Sequence, residues 1–253
     1  MPQPFSKIVP DAHVYIDSNV LSDKPDMAVL ITKIFALWAQ IEHELSFLLV
    51  RVLGADAAPA IAMHATLTAQ HLQNSALQAA AKAALSPDQF DVFQAALSTA
   101  ESAATPRNHL AHWIWGGCEQ RPDLLALFDP KMVKERDFRV EKFYSQNPNR
   151  EPEDIIKNID LYFFDTSNVL AYSKTDLERA LRDIKVSFDT LILLGIYLNP
   201  VSAGPLMKLQ ELEISPEQLA AELLQKLNEL RLFREALARI RASRNSNPIK
   251  TGG

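Results

Sequence analysis

The sequence predicts an all-α protein, and three observations carry that prediction. Only 7 glycines occur in 253 residues, against abundant Ala, Leu, Gln and Glu, a balance that favours helices over a turn-dense sheet protein. Apolar residues recur at spacings of three and four along residues 27–53, the period of a helix that buries one face. "SPDQ" at 86–89 and "SPEQ" at 215–218 each combine a capping serine, a first-turn proline and a glutamine three residues after the cap. The expected architecture is an up-and-down helical bundle with an irregular insertion at about 117–174, which has room for a small hairpin, and an extra C-terminal helix.

Residues 1–24 read as an N-terminal extension and 25–200 as the helical domain. The helix over 27–53 carries Ile34, Leu37, Trp38, Ile41, Leu45, Leu48, Leu49 and Val52 on one stripe, with Gly54 where a C-terminal cap is wanted. Glu42 and Glu44 flank that stripe on opposite edges. Ala-rich segments at 57–69 and 73–85 predict two shorter helices, with a break near Leu72–Ser75. Ser86, Pro87 and Gln89 open a helix to about Ala103. "TPRN" repeats the device, so Thr105 is expected to cap a new helix, Pro106 to enter it, and Arg107 and Asn108 to occupy its first turn.

After "GGC" the periodicity degrades. The short runs "FRVEKFY", "DLYFFD" and "NVLAY" suit a hairpin or ordered loops. Helical order is expected again from Thr175, paired with Glu178, to Asn199 and Pro200. Within the segment 201–244, Ser215, Pro216 and Gln218 open one amphipathic helix with Leu219, Leu223, Leu227, Leu230, Phe233, Leu237 and Ile240 on its apolar side. Residues 245–253 are expected to form a disordered tail.

Composition bounds the function. Hydrophobic residues at 47% and charged ones at 23% belong to an ordinary globular protein. "MPQPFSKIVPDAHVYID" lacks the apolar run of an export signal, and "VSFDTLILLGIYL" is interrupted by Asp189, so a cytoplasmic location with no membrane partner is expected. The single cysteine, Cys118, excludes an internal disulfide and a multi-thiolate zinc site. His64 and His71 lack a third ligand at metal spacing, so neither a metal nor another cofactor is expected. A Gly-rich phosphate loop, a GxSxG elbow and an HExxH pair are all missing from the sequence, which sets aside nucleotide hydrolases, serine hydrolases and zincins. The net charge of −5 is uneven: residues 1–128 hold 7 Lys/Arg against 12 Asp/Glu, while residues 229–253 hold 6 Lys/Arg against Glu229 and Glu235. A basic end on an acidic body suits a solvated helix or contact with nucleic acid.

The stretch "TPRNHLAHWIWG", 105–116, concentrates the chemistry. Two of the six histidines stand there with an arginine, an asparagine and two tryptophans. Asn108 and His112 are four apart and share a helix face; His109 and Trp113 share another. An arginine in a first helical turn, beside unsatisfied N–H groups, suits an anion such as phosphate, and a histidine one turn on can move a proton near neutral pH.

An arginine followed by a polar residue, then by a histidine after four to six residues, late in a helical domain, resembles the HEPN superfamily. Here the motif reads Arg107, Asn108, His109, Leu110, Ala111, His112, and "LWAQIEHEL", with Trp38 and Glu42, is similar to the HEPN helix that supplies an acid. The resemblance covers roughly 25–116 and 175–199, in helix order more than in identity. It implies a dimeric, metal-independent endoribonuclease, often a toxin or an antiphage or stress effector, with RNA as substrate and two motif copies forming a composite site. Under that resemblance His112 is the general base or acid, Arg107 stabilises the phosphorane-like charge, Asn108 orients His112 or a phosphate oxygen, and Glu42, with Glu44 as the alternative, positions Arg107. The insertion and the C-terminal helix lie outside a minimal core of that family and suit an antitoxin or regulatory protein. The rival reading is a non-catalytic helical interaction module of the same fold, whose C-terminal helix docks a partner.

Overall fold

The computed structural model describes residues 2–149, 151–199 and 215–246. The chain is mostly helical, yet it is not all-α, because a five-stranded antiparallel sheet stands among the helices. The strands are β1 (Gln3–Pro4), β2 (Val14–Ile16), β3 (Ile114–Cys118), β4 (Leu125–Phe128) and β5 (Val169–Tyr172). The helices are α1 (Pro25–Leu53), α2 (Ala57–Thr66), α3 (Gln70–Ala84), α4 (Pro87–His112), α5 (Pro130–Gln146), α6 (Pro152–Lys157), α7 (Lys174–Leu198), α8 (Pro216–Glu229) and α9 (Arg231–Ser246). Two compact units divide the chain, one holding 1–34 and 105–181, the other 35–104 and 182–253.

The first unit holds the sheet, in the order β1-β5-β4-β3-β2. Residues 1–24, expected to be a mere extension, supply both edge strands. The hairpin of β3 and β4 forms the middle of the sheet, with Ile114 opposite Phe128 and Gly116 opposite Ala126, and β5 pairs Val169 with Phe128. Leu124–Phe128, "LLALF", is completely buried, which is the pattern of a strand covered on both faces; a helix segment of the same composition looks identical in sequence. Phe5, Cys118, Ala126, Phe128, Val133 and Val169 form its core. "FRVEKFY" is helical within α5, whose start is fixed by Asp129: its Oδ1 accepts the Lys131 N–H at 2.8 Å, with Pro130 in the first turn. "DLYFFD" begins in a 3-10 turn over Ile159–Tyr162, and only "NVLAY" enters a strand, β5.

Gly116 lets the β2 backbone come close to β3, and Gly117 leaves room for the Tyr15 ring. A Cβ on Gly116 overlaps the Tyr15 carbonyl and lies 2.7 Å from the Phe128 ring. Glycine is poor in strands for conformational reasons, and an interior pair marks a close backbone approach.

In the second unit, α1 buries Trp38, Ile41, Leu45 and Leu48 and ends at Gly54, whose φ of 57° is the left-handed cap conformation that glycine tolerates. The break between α2 and α3 falls at Leu67–Ala69, a few residues before the expected position. The Ser86 cap is present in both directions: Gln89 N–H donates to Ser86 Oγ and Ser86 N–H to Gln89 Oε1. The same reciprocal bonds join Ser215 and Gln218. What reads as one C-terminal helix is two, α8 and α9, broken at Leu230 in extended backbone. No glycine or proline marks that break; it lets Leu223 and Leu227 of α8 and Phe233 and Leu237 of α9 all be buried, and the two helices pack together. Arg244 of α9 reaches Asp91 of α4 at 2.8 Å and Asp88 at 3.2 Å. The expected tail at 245–253 begins inside α9, and its last seven residues lie outside the described ones, as do 201–214.

The start of α7 is shifted by two residues. Ser173, not Thr175, caps it: Ser173 Oγ accepts the Asp176 N–H at 3.2 Å while Asp176 Oδ2 accepts the Ser173 hydroxyl at 2.7 Å. No helix among the described residues is long and apolar enough to cross a membrane.

Gly116→Ala is expected to destabilise the fold by about 1–3 kcal/mol, the usual cost of forcing a methyl into packed space. Urea unfolding checks this; a midpoint equal to that of the unsubstituted protein contradicts the close approach of β2.

Candidate functional site

Thr105 does not cap a helix. α4 runs unbroken from Pro87 to His112 and carries Pro106 in its interior. Arg107 and Asn108 therefore lie within the last two turns of a long helix, where no first-turn N–H groups are free to meet an anion. The anion-attracting helix start expected at Arg107 does not exist. An interior proline costs about 3 kcal/mol through its missing N–H and its ring, so the packing of the residues around it must offset that cost; Ala103, Ala104 and Leu110 are buried on either side.

The end of α4 is firmly held. Trp115, in β3, donates from Nε1 to the Leu110 carbonyl at 3.0 Å, satisfying one of the last-turn acceptors. Leu110 is buried, and β3 begins two residues after His112. Helix end and inner strand β3 are thus joined by one intervening residue and tied by that bond.

Four polar side chains sit at this junction. Arg107 is half-buried, and its Nη1 donates to Asn108 Oδ1 at 3.1 Å. Asn108 Oδ1 thus contacts the Arg107 guanidinium. His112, the last helical residue, is exposed. His109 is half-buried between aromatic rings: Trp113 at 4.5 Å between centroids and Tyr172 at 6.3 Å edge-on. Its Nδ1 lies 2.9 Å from the Tyr172 hydroxyl. Burial holds the His109 imidazole below its ordinary value, against a smaller upward pull from Asp129. Tyr172 is fully buried, and burial pushes its phenol far up, with Asp176 adding to the effect. A cleft of about 360 Å³ opens beside Trp113, lined also by Asp129, Lys131, Ser167, Asn168 and Leu170.

The two candidate acids belong to the second unit. Glu42 is exposed, and its Oε1 accepts the Trp38 indole N–H at 2.6 Å. Glu44 faces Arg51 at 3.7 Å, both largely buried, and the Arg51 guanidinium occupies the space a side chain on Gly195 would need. Glu44 thus already serves a structural ion pair.

The sequence assigns roles to Arg107, Asn108 and His112 and none to His109, and nothing in it draws attention to Tyr172. Tyr172 is 63 residues distant from His109 in the chain, and only the pairing of β5 with β4 brings it close. Its signal in the sequence is no more than a tyrosine ending a β-branched and apolar run.

The sign of a pH effect follows from His109. A ring whose folded value lies below 6.5 stabilises the fold in its neutral form; that contribution is complete above 6.5 and is lost as pH falls through it toward the folded value. His109→Gln, which cannot titrate, is expected to lose less stability than the parent between about pH 7 and pH 5. Paired urea titrations at the two pH values measure this; equal losses contradict it.

Compared with known proteins, the chain matches no family model, no curated protein and no solved structure, so a functional reading rests on the residues themselves.

Proposed function

We propose that the protein is a metal-independent endoribonuclease of HEPN type that acts as a homodimer, in the role of a toxin or of an antiphage or stress effector. The observation that carries this reading is the exposed His112 at the end of α4, five residues after an Arg107 held by Asn108. In the reaction, His112 takes the proton of a ribose 2′-OH as that oxygen attacks the adjacent phosphorus, or gives a proton to the departing 5′-oxygen. Arg107 stabilises the charge that accumulates on the phosphoryl oxygens, and Asn108 restrains the guanidinium so that little reorganisation is needed at that moment. One histidine does not serve both proton transfers in a single step, so a second copy of the motif from a two-fold-related chain completes the site. Products carry a 2′,3′-cyclic phosphate.

The non-catalytic interaction module keeps one specific observation in its favour: α4 is continuous at Arg107, which removes the helix-start contribution to phosphate binding. The two readings part in one experiment. Purified protein is incubated with a mixed RNA pool in EDTA beside His112→Ala and Arg107→Ala. The unsubstituted protein is expected to produce cyclic-phosphate ends, and each variant to be slower by about 100-fold or more, the usual loss for a general base or an oxyanion partner. Equal behaviour of all three proteins sinks the catalytic reading.

A further inference from the structure

His109 and His112 stand three apart on one helix, yet the structure gives them opposite surroundings. At about 100° per residue, Asn108, His112 and His109 fall within an arc of about 100° with His112 in the middle. His112 is exposed, whereas His109 is packed on Trp113 and bonded to Tyr172.

The Tyr172 bond decides where the His109 proton sits. A buried tyrosine hydroxyl needs an acceptor, and among the described residues the Tyr172 hydroxyl bonds to His109 Nδ1. Tyr172 is completely buried, so water does not replace that acceptor. The hydroxyl therefore donates to Nδ1, which must keep its lone pair, and the ring proton is on Nε2. Protonating the ring further turns Nδ1 into a donor and leaves the Tyr172 proton unaccepted in the core. This opposes the imidazolium form in addition to the burial of the ring, and it agrees with the downward direction of the His109 titration. Asp129, at the end of β4, is the charged group that pulls the other way. Among the described residues Nε2 has no hydrogen-bond partner, and it is not sealed from solvent. It is a donor with access to the outside.

We propose that His109 is a fixed, neutral hydrogen-bond donor of the site, with its Nε2–H tautomer set by Tyr172, and that this N–H contacts a non-bridging phosphate oxygen of the RNA. The assignment rests on the endoribonuclease reading above. It divides the work between the histidines: His112 moves protons, and His109 moves none. A neutral donor suits an oxygen that gains charge in the transition state, since it needs no protonation event and remains a donor over the working pH range.

Two measurements test this. Long-range 1H–15N spectra of the histidine-labelled full chain are expected to show His109 protonated at Nε2, and Tyr172→Phe to lose that preference; protonation at Nδ1 in the parent protein overturns the assignment without any RNA present. In cleavage assays, His109→Gln, which keeps an amide N–H, is expected to remain within a few-fold of the parent, and His109→Ala to fall by about tenfold to a hundredfold, as for one oxyanion donor. Both variants are expected to keep the shape of the parent's pH profile. A Gln variant as slow as the Ala variant, with a limb of the profile lost, makes His109 a proton carrier and overturns the proposal. If the parent protein cleaves no RNA, the reading on which the proposal rests fails and the donor role fails with it, while the tautomer spectrum reports separately on the Tyr172 bond.

Discussion

The junction between α4 and β3 is the constraint on which the candidate site depends. A helix that ended in a flexible loop would leave Arg107, Asn108, His109 and His112 as loosely placed surface groups. Here the last turn is tied forward by the Trp115 indole to the Leu110 carbonyl and sideways by His109 to Tyr172. The strand that follows is one of the inner strands of the sheet. Each tie links a residue of the motif or its neighbour to a strand, so the geometry of six consecutive residues is set by strand pairing as much as by the helix. The two glycines of β3 belong to the same device, because they permit the close approach of β2 that completes one side of the sheet.

Local signals were legible where they were sufficient in themselves. Ser86 with Gln89 and Ser215 with Gln218 form the reciprocal bonds their spacing predicts, and Gly54 takes the left-handed conformation expected of a helix cap. Thr105 with Pro106 carries nearly the same local signal as Ser86 with Pro87, yet the helix runs through it. The difference is tertiary. Buried residues on both sides of Pro106 favour one continuous helix, and a local reading has no means to weigh that packing against the cost of an interior proline. Asn108, three residues after the false cap, bonds the Arg107 side chain instead of a cap backbone.

The strands were illegible for a different reason. β4 is "LALF", in which Leu and Ala have high helix propensity, and it is buried on both faces, so it shows no alternation. β3 contains two glycines, and β1 ends in a proline tolerated at a sheet edge. The hydrophobic period is the main guide to secondary structure, and these segments are too short and too buried to display one. Charge shows the same dependence on context. The basic C-terminal end is in part locally compensated: Arg244 meets Asp88 and the buried Asp91, and Arg231 meets Glu235. Loss of Arg244 would strand a carboxylate in the interior, so this arginine fastens α9 to the start of α4 and is not a free polyelectrolyte charge.

The two histidines of the motif show most directly what spacing does and does not determine. Three residues apart on a helix, they are near neighbours by construction, and in the sequence His112 stands out through its spacing from Arg107 and Asn108 while His109 has no assigned role. The fold separates them by environment. A residue at the end of α4 faces solvent; a residue one turn earlier meets a tyrosine carried in by β5, which is itself buried because β5 lies beside β4 in the sheet. Burial of Tyr172 is what gives the contact its direction: an exposed tyrosine hydroxyl could donate to water and leave the imidazole free to choose either tautomer, whereas a buried one must donate its hydrogen bond to the ring. The chemical difference between the two histidines thus originates in a strand whose Tyr172 lies 63 residues from His109 in the chain.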